Sequence, residues 1–192
     1  MSSITVVRKN GYAAIAADTL TKWGYAKEPA EYVANHEKIF KLGASYIGLC
    51  GSVASYLALR ILLLRLGNRA KLNNIDDIFM TWNKIHRALK DEFYLNPHEN
   101  DGGNYESSHM DVLIANPYGI FGVGPYRSVQ EYTRFYAYGS GNDYAQGAMY
   151  VLYDDPGKSA EEIARLGVQA AAEFDEDTGL PIKSYTVKLR KK

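Results

Sequence analysis

The chain has 192 residues, of which 46% are hydrophobic and 23% charged, a composition typical of one globular domain spanning residues 1–192. The 22 basic and 22 acidic side chains balance to a formal net charge of zero. This balance argues against a nucleic-acid-binding protein, because phosphate recognition requires a basic surface. The one cysteine, Cys50, excludes an intrachain disulfide and fits a reducing compartment.

The first residues lack the basic start and unbroken apolar run of a signal peptide. The most apolar stretch, residues 57–66, is too short to cross a bilayer and contains Arg60 and Arg65. We therefore expect a cytoplasmic protein with no membrane partner.

The first predicted elements are two strands over residues 4–9 and 12–18, joined by the turn Asn10–Gly11. The second strand is apolar on both faces, which predicts that it lies inside a layered structure. Residues 38–42 and 45–50 form another predicted strand pair, which turns at Gly43.

The rest of the chain alternates between helices and strands. A helix over residues 52–66 is apolar nearly all round, and a second, over residues 76–94, is amphipathic, with Asp76 or Asp77 near its N-cap. A polar, glycine-rich loop over residues 96–107 precedes predicted strands at 110–116, 119–123 and 133–138. Helices over 142–152 and 159–174 and a strand over 182–189 complete the chain. This order predicts an α+β fold with two stacked sheets and a helix layer on each outer face.

The amino terminus is the first candidate for chemistry. Ser2 is small, so removal of Met1 would leave a free α-amine beside a hydroxyl. An α-amine has a pKa of roughly 7.7–8.0 and can act as a general base near neutral pH. Many cytoplasmic proteins begin with Met-Ser, so the two residues alone leave the matter open.

The surrounding sequence resembles the opening of proteasome β-subunits and their bacterial ring-protease relatives. The resemblance covers residues 2–11, Ser-Ser-Ile-Thr-Val-Val-Arg-Lys-Asn-Gly, and continues through the Ile-Ala-Ala-Asp of residues 15–18. Residues 16–24, Ala-Ala-Asp-Thr-Leu-Thr-Lys-Trp-Gly, are most similar to the β-proteobacterial proteasome homologue branch. The resemblance implies an N-terminal-nucleophile (Ntn) hydrolase with a four-layer αββα sandwich.

The resemblance also implies roles for individual residues. Ser2 would be the nucleophile, with its own α-amine as base, and Lys38 would be the family's essential lysine, paired with Asp18. The lysine would favour the alkoxide and depress the pKa of the amine by like-charge repulsion. Gly51, where a strand meets a helix, corresponds to the oxyanion-hole glycine.

Two further motifs correspond to supporting elements of the family. The serine of Gly139-Ser140-Gly141 matches the family's serine turn at the start of a helix. Asp175 and Thr178 resemble its Asp-x-x-Ser-Gly element, with threonine in place of serine. The resemblance implies that these hydroxyl and carboxyl groups form a hydrogen-bonded shell that fixes the N-terminus.

By resemblance, the protein is expected to be a peptidase subunit of a homo-oligomeric double ring that cleaves polypeptides. The resemblance also allows an ATP-dependent unfoldase as partner, and we predict no cofactor and no metal. Two alternatives stay open at this stage, a small-molecule amidase of the same nucleophile class and a non-catalytic ring.

Three histidines, one aspartate and the cysteine are further candidates for function. His98, His109 and Asp111 do not have the tight spacing of metal ligands, so a surface position is favoured. His36 lies just before Lys38 and could approach the site, but a core or surface position is favoured. Cys50 is interpreted as a core or pocket-lining residue, not a nucleophile.

Two apolar segments are candidates for contacts between subunits. Residues 126–144 contain six aromatic side chains, which favours core or subunit contacts over a lining of the substrate chamber: Tyr126, Tyr132, Phe135, Tyr136, Tyr138 and Tyr144. The helix over residues 54–66 has more apolar surface than one sheet needs, and the surplus is assigned to a subunit interface. Leu63 is predicted to lie in that interface, with a position in the subunit core as the alternative.

Overall fold

The computed structural model describes residues 2–97 and 105–190. The strands are β1 (Ser3–Lys9), β2 (Tyr12–Ala17), β3 (Thr21–Trp23), β4 (Ala26–Glu28), β5 (Ile39–Leu42), β6 (Ser45–Cys50), β7 (Asp111–Asn116), β8 (Gly119–Val123), β9 (Val129–Tyr132), β10 (Phe135–Gly139) and β11 (Lys183–Lys188). The helices are α1 (Val53–Leu66), α2 (Ile75–Phe93), α3 (Asn142–Leu152) and α4 (Ala160–Phe174), with one 3₁₀ turn at Gly67–Arg69.

Two antiparallel sheets form the centre of the fold. One has the order β10-β1-β2-β11 and the other the order β5-β6-β7-β8-β9, while β3 and β4 form a separate hairpin. Strand β2 is buried on both faces: Ala13, Ile15 and Ala17 face the other sheet, and Ala14 and Ala16 face helices. All five side chains are fully buried, which confirms the prediction of an inner strand.

A helix pair covers the outer face of each sheet. Met149 of α3 and Ile163 of α4 pack against Val7 of β1, and this cluster closes the four-stranded sheet. Helices α1 and α2 cover the five-stranded sheet, where Trp82 packs with Phe121. The layers are therefore α, β, β, α, and the predicted four-layer α+β sandwich is confirmed.

The structure corrects some predicted boundaries. Helix α2 begins at Ile75 and its N-cap is Asn74, whose Oδ1 accepts a hydrogen bond from the backbone N–H of Asp77 at 2.9 Å. The predicted caps Asp76 and Asp77 instead lie in the first helical turn, where their charge suits the helix dipole. The strand predicted at 133–138 begins only at Phe135.

Three strands were not predicted, and each lacks a buried face. The residues of β3 and β4 are largely polar or exposed, and β9 is an edge strand of half-exposed side chains. Without an alternation of buried and exposed positions, the sequence has no period-two signal. In the predicted loop at 96–107, the described residues 96–97 and 105–107 form no helix or strand, and 98–104 lie outside the described residues.

Helix α1 is apolar on two faces. Leu59, Leu62 and Leu63 are buried in the core, while Ile61 and Leu64 are 45% and 50% exposed. The predicted surplus of apolar surface is present, but the assignment of Leu63 to a subunit interface is wrong. Its side chain is fully buried against the five-stranded sheet.

The aromatic residues between 126 and 144 divide into two groups. Tyr132 stacks on Tyr136 at 4.3 Å between ring centroids, and the Tyr132 and Tyr138 hydroxyls lie 3.2 Å apart, against the core between the sheets. Tyr126 and Tyr144 are instead 37% and 48% exposed. Four of the six aromatic side chains are therefore partly buried and pack against the core, as the density of aromatic residues favoured: Tyr132, Phe135, Tyr136 and Tyr138. Across residues 2–97 and 105–190, none of the helices combines the length and apolar character needed to span a membrane.

Candidate active site

Ser2 lies directly before β1 and is almost completely buried, with 4% of its surface exposed. Its carbonyl oxygen accepts a hydrogen bond from the backbone N–H of Ser140 at 3.1 Å. Ser2 lines a cavity of about 210 Å³, and Lys38 and Gly51 line the same cavity. The structure thus brings three of the sequence-predicted residues to one concave surface.

Gly139 sets the position of the Ser2 backbone. It ends β10 opposite Ser3 and has a φ of 109°, a conformation that residues with a side chain rarely adopt. A Cβ atom at this position would lie 1.7 Å from the Ser2 carbonyl oxygen. Only glycine therefore allows Ser2 to approach β10 this closely.

Gly139→Ala is expected to displace Ser2 and to lower hydrolytic activity on the order of 10²-fold, the typical effect of a 1 Å misplacement. Steady-state rates on a fluorogenic peptide would measure the loss. Gly147→Ala is the matched control, because nothing lies within 4 Å of a Cβ atom built at that helical glycine. Equal activity of the two variants would show that close approach to Ser2 is not needed.

Lys38 is held by two acceptors next to the cavity. Its Nζ donates to Asp18 Oδ1 at 2.7 Å and to the carbonyl oxygen of Leu20 at 2.6 Å. The lysine side chain is 13% exposed and the Asp18 side chain is fully buried. The predicted ion pair is therefore present, with one partner at the cavity and the other in the core.

The Asp18 carboxylate has several donors besides Lys38. Oδ1 accepts the N–H of Ser3 at 3.0 Å, and Oδ2 accepts the N–H groups of Leu20 and Gly179, both at 3.1 Å. Burial raises the pKa of Asp18, whereas the Lys38 ammonium and the backbone N–H groups lower it. Because every neighbour donates, the contacts match an ionised carboxylate.

Gly51 lies where β6 ends and α1 is about to begin. The N-cap of α1 is Ser52, whose Oγ accepts the N–H of Ser55 at 3.0 Å. Gly51, Ser52 and Val53 all line the cavity that contains Ser2. The N-terminus of a helix therefore lies at this cavity, where backbone N–H groups favour negative charge.

A chain of hydroxyl groups lies behind the Ser2 backbone. Asp175 Oδ2 accepts the hydroxyls of Ser140 at 2.7 Å and Thr178 at 2.5 Å. Because Thr178 donates its proton to Asp175, its oxygen accepts the hydroxyl of Ser3, 2.6 Å away. The three predicted supporting residues therefore form one network, which ends on the first residue of β1.

The sequence interpretation missed the part played by Ser3. Its side chain is fully buried and bonds Thr178, while its backbone N–H bonds Asp18. The only local signal is a small hydroxyl residue at the start of an otherwise β-branched strand. Its partners come from distant parts of the chain, which spacing does not reveal.

The other candidates are placed as follows. His36 lines the Ser2 cavity, so the alternative of a place near the site holds and not the favoured core or surface position. Its Nδ1 lies 2.7 Å from the carbonyl oxygen of Val33. Cys50 is buried, as expected for a core residue, and its Sγ lies 4.0 Å from the Ser2 carbonyl oxygen. Burial raises the pKa of its thiol. His98 lies outside the described residues. The described part of the chain contains no group of three or more His, Cys, Asp or Glu side chains that could hold a metal ion.

The known proteins that this chain resembles are found among solved structures. No protein-family model matches the chain, and no curated protein matches it either. Among solved structures, the bacterial proteasome homologue (BPH) of Thiobacillus denitrificans in complex with epoxomicin is 52% identical, with a TM-score of 0.92 over 98% of this chain and 100% of that one. A second structure of the same BPH is also 52% identical, with a TM-score of 0.93 over 99% of this chain and 100% of that one.

A more distant match is the eukaryotic HslV from Trypanosoma brucei. It is 18% identical, with a TM-score of 0.73 over 97% of this chain and 99% of that one, and it supports the fold alone. The likeness to BPH extends over nearly all of this chain and the whole of the other. Together with the αββα layers, it shows that the chain belongs to the proteasome-type Ntn hydrolases, in the branch of the bacterial proteasome homologues.

Proposed function

We propose that this protein is a peptidase subunit that cleaves amide bonds with Ser2 as an N-terminal nucleophile. The observation that carries the proposal is the cavity shared by Ser2, Lys38 and Gly51. These residues supply a hydroxyl, an ammonium group and the start of a helix, which are the groups that acyl transfer requires. Met1 lies outside the described residues, and its removal remains a prediction.

The reaction would begin with proton transfer from the Ser2 hydroxyl to the α-amine exposed by loss of Met1, through a water. Oγ would attack the scissile carbonyl carbon, and the oxyanion would accept a hydrogen bond from the N–H of Gly51. Collapse would break the C–N bond, with the α-ammonium group returning the proton to the leaving amine. Water would then hydrolyse the ester on Ser2 and release the acid.

Two nearby groups are poorer candidates for the nucleophile. The hydroxyl of Ser3 is fully buried and is already bonded to Thr178. The Cys50 thiol is buried too, and its raised pKa disfavours the reactive thiolate. Ser2 differs from both because it lines an accessible cavity.

We also propose that the subunits assemble into a homo-oligomeric double ring in the cytoplasm, and that the substrates are polypeptides. Membership of the proteasome family supports a ring, and the exposed apolar face of α1 supplies surface for subunit contacts. A ring that encloses its active sites would admit unfolded chains more readily than folded ones. An ATP-dependent unfoldase is therefore the kind of partner that such a ring would use.

The nucleophile is tested by the intact mass of natively produced protein before and after treatment with a β-lactone. We expect the mass of the chain without Met1, and one adduct per subunit that peptide mapping places on Ser2. Epoxomicin is a suitable competitor, because the BPH of T. denitrificans was solved in complex with it. Ser2→Ala is the control and should form no adduct.

Two results would contradict the proposal. One is Met1 retained in a preparation that hydrolyses peptides, because the Ser2 nitrogen would then be part of a peptide bond. The other is an adduct on Ser3 or Cys50 in place of Ser2.

A further inference from the structure

Lys22 lines the Ser2 cavity, but its ammonium group pairs with acidic side chains near the end of the chain. It is the central residue of β3, and its side chain is only 8% exposed. Nζ lies 2.6 Å from Asp177 Oδ1 and 3.7 Å from Glu176 Oε1. Lys27, its neighbour across the hairpin, is exposed and forms no ion pair within the described residues.

The hairpin needs such an anchor, because β3 and β4 hydrogen-bond to neither large sheet. An isolated two-stranded hairpin is marginally stable in water. Among the described residues, Lys22 is the one member of hairpin 21–28 whose side chain forms a hydrogen bond or ion pair with the rest of the chain. The three residues of β3 line the Ser2 cavity, so the position of that wall depends on this contact.

Asp177 belongs to the turn that also bonds Ser3 and Asp18, next to Ser2. In the same turn, Thr178 bonds the Ser3 hydroxyl, and the Gly179 N–H bonds the Asp18 carboxylate. Its hydrogen bond to Lys22 lowers the pKa of Asp177, and the same bond raises the pKa of Lys22. Both groups are therefore charged across the neutral range.

We propose that Lys22 is a positioning residue that fixes the β3 wall of the substrate cavity relative to Ser2. One end of the contact is the wall, and the other is the turn that holds Ser3 and Asp18. Leu20, directly before β3, is held by Asp18 and Lys38, and the ion pair of Lys22 fixes the strand that follows, and with it the distance between bound peptide and nucleophile. This inference rests on the proposed function, since it assumes that Ser2 attacks a substrate in this cavity.

The test compares Lys22→Met with Lys27→Met, which removes the exposed lysine directly opposite on the hairpin. The second-order rate of Ser2 acylation by a β-lactone is measured by intact mass, and kcat and KM by hydrolysis of a fluorogenic peptide. Lys22→Met should lower the acylation rate and kcat/KM on the order of tenfold to a hundredfold. Lys27→Met should match the wild type, and Lys22→Arg should recover most of the rate because it keeps the charge.

Asp177→Asn supplies the second half of the test. If the two residues act through one contact, the double variant Lys22→Met/Asp177→Asn should lose no more activity than either single variant. A role in stability alone would change the melting temperature or the fraction of subunits that react, without changing the rate for those that do.

The outcomes separate this inference from the proposed function. Wild-type protein that forms no adduct on Ser2 overturns both. If the wild type reacts at Ser2 and Lys22→Met reacts equally fast, only the positioning role is overturned. Equal losses in Lys22→Met and Lys27→Met would also overturn it, because the effect would then belong to the hairpin and not to the ion pair.

Discussion

Lys38→Ala is expected to abolish peptide turnover, with a loss of at least about 10²–10³-fold in rate, the typical effect of removing one group that stabilises the reacting oxygen. Lys38 lines the cavity that contains Ser2, so loss of its ammonium group should remove the positive charge available to the alkoxide. The acylation rate of Ser2 should fall together with turnover, and both are measured as for the wild type.

The same change leaves Asp18 without its cationic partner. Breaking a buried ion pair typically costs about 3–5 kcal/mol in the free energy of unfolding. The backbone N–H groups of Ser3, Leu20 and Gly179 still bond the carboxylate, so we expect a lower melting temperature but a folded subunit. Lys41→Ala is the matched control, because Lys41 is an exposed residue of β5. Hydrolysis by Lys38→Ala at the rate of the wild type would show that Lys38 is only structural.

Leu63→Glu is expected to unfold the subunit. Leu63 is fully buried between α1 and the five-stranded sheet, and loss of a buried leucine alone typically costs about 2–5 kcal/mol. Burial of an unpaired carboxylate adds a penalty that, with this loss, approaches the whole stability of a typical domain, about 5–15 kcal/mol. Circular dichroism should show a loss of helical signal at room temperature.

Leu64→Glu, one residue further along α1, is the matched variant for assembly. Leu64 is 50% exposed, so the monomer should lose little stability, within about 0.5 kcal/mol for a typical surface change. If α1 forms the subunit contact, light scattering should show smaller species that keep a native circular dichroism spectrum. Full-size assemblies of Leu64→Glu would exclude this face of α1 from the contact, and a folded Leu63→Glu would contradict its place in the core.

The sequence predicted most of the architecture because its strongest signals are local. Strand β2 is apolar at every position from 13 to 17, which is possible only between two layers. The N-cap of helix α4 is Ser159, as predicted, and it forms a capping box with Glu162. Such signals depend on neighbours within a few residues, so they can be seen before the chain is folded.

The residues of the candidate site could be predicted where they belong to short sequence motifs. Ser2, Asp18, Lys38 and Gly51 each belong to a short stretch that resembles the proteasome family, and the structure brings them together around one cavity or ion pair. The roles of these residues in catalysis remain predictions. For His36 the sequence offered only its closeness to Lys38, and a core or surface position was favoured, whereas residues 35–38 all line the Ser2 cavity.

By itself, the sequence determined the order of the layers and the candidate residues near the amino terminus. Both follow from patterns within short stretches of the chain. Only the tertiary structure decided which leucines of α1 face outward, because that helix is apolar on both faces and has no periodic contrast. The partners of Ser3 and Lys22 were decided in the same way. Their hydrogen bonds and ion pairs join the first strands to residues 176–178 near the end of the chain, and such pairs form only when the two sheets and the final turn have packed together.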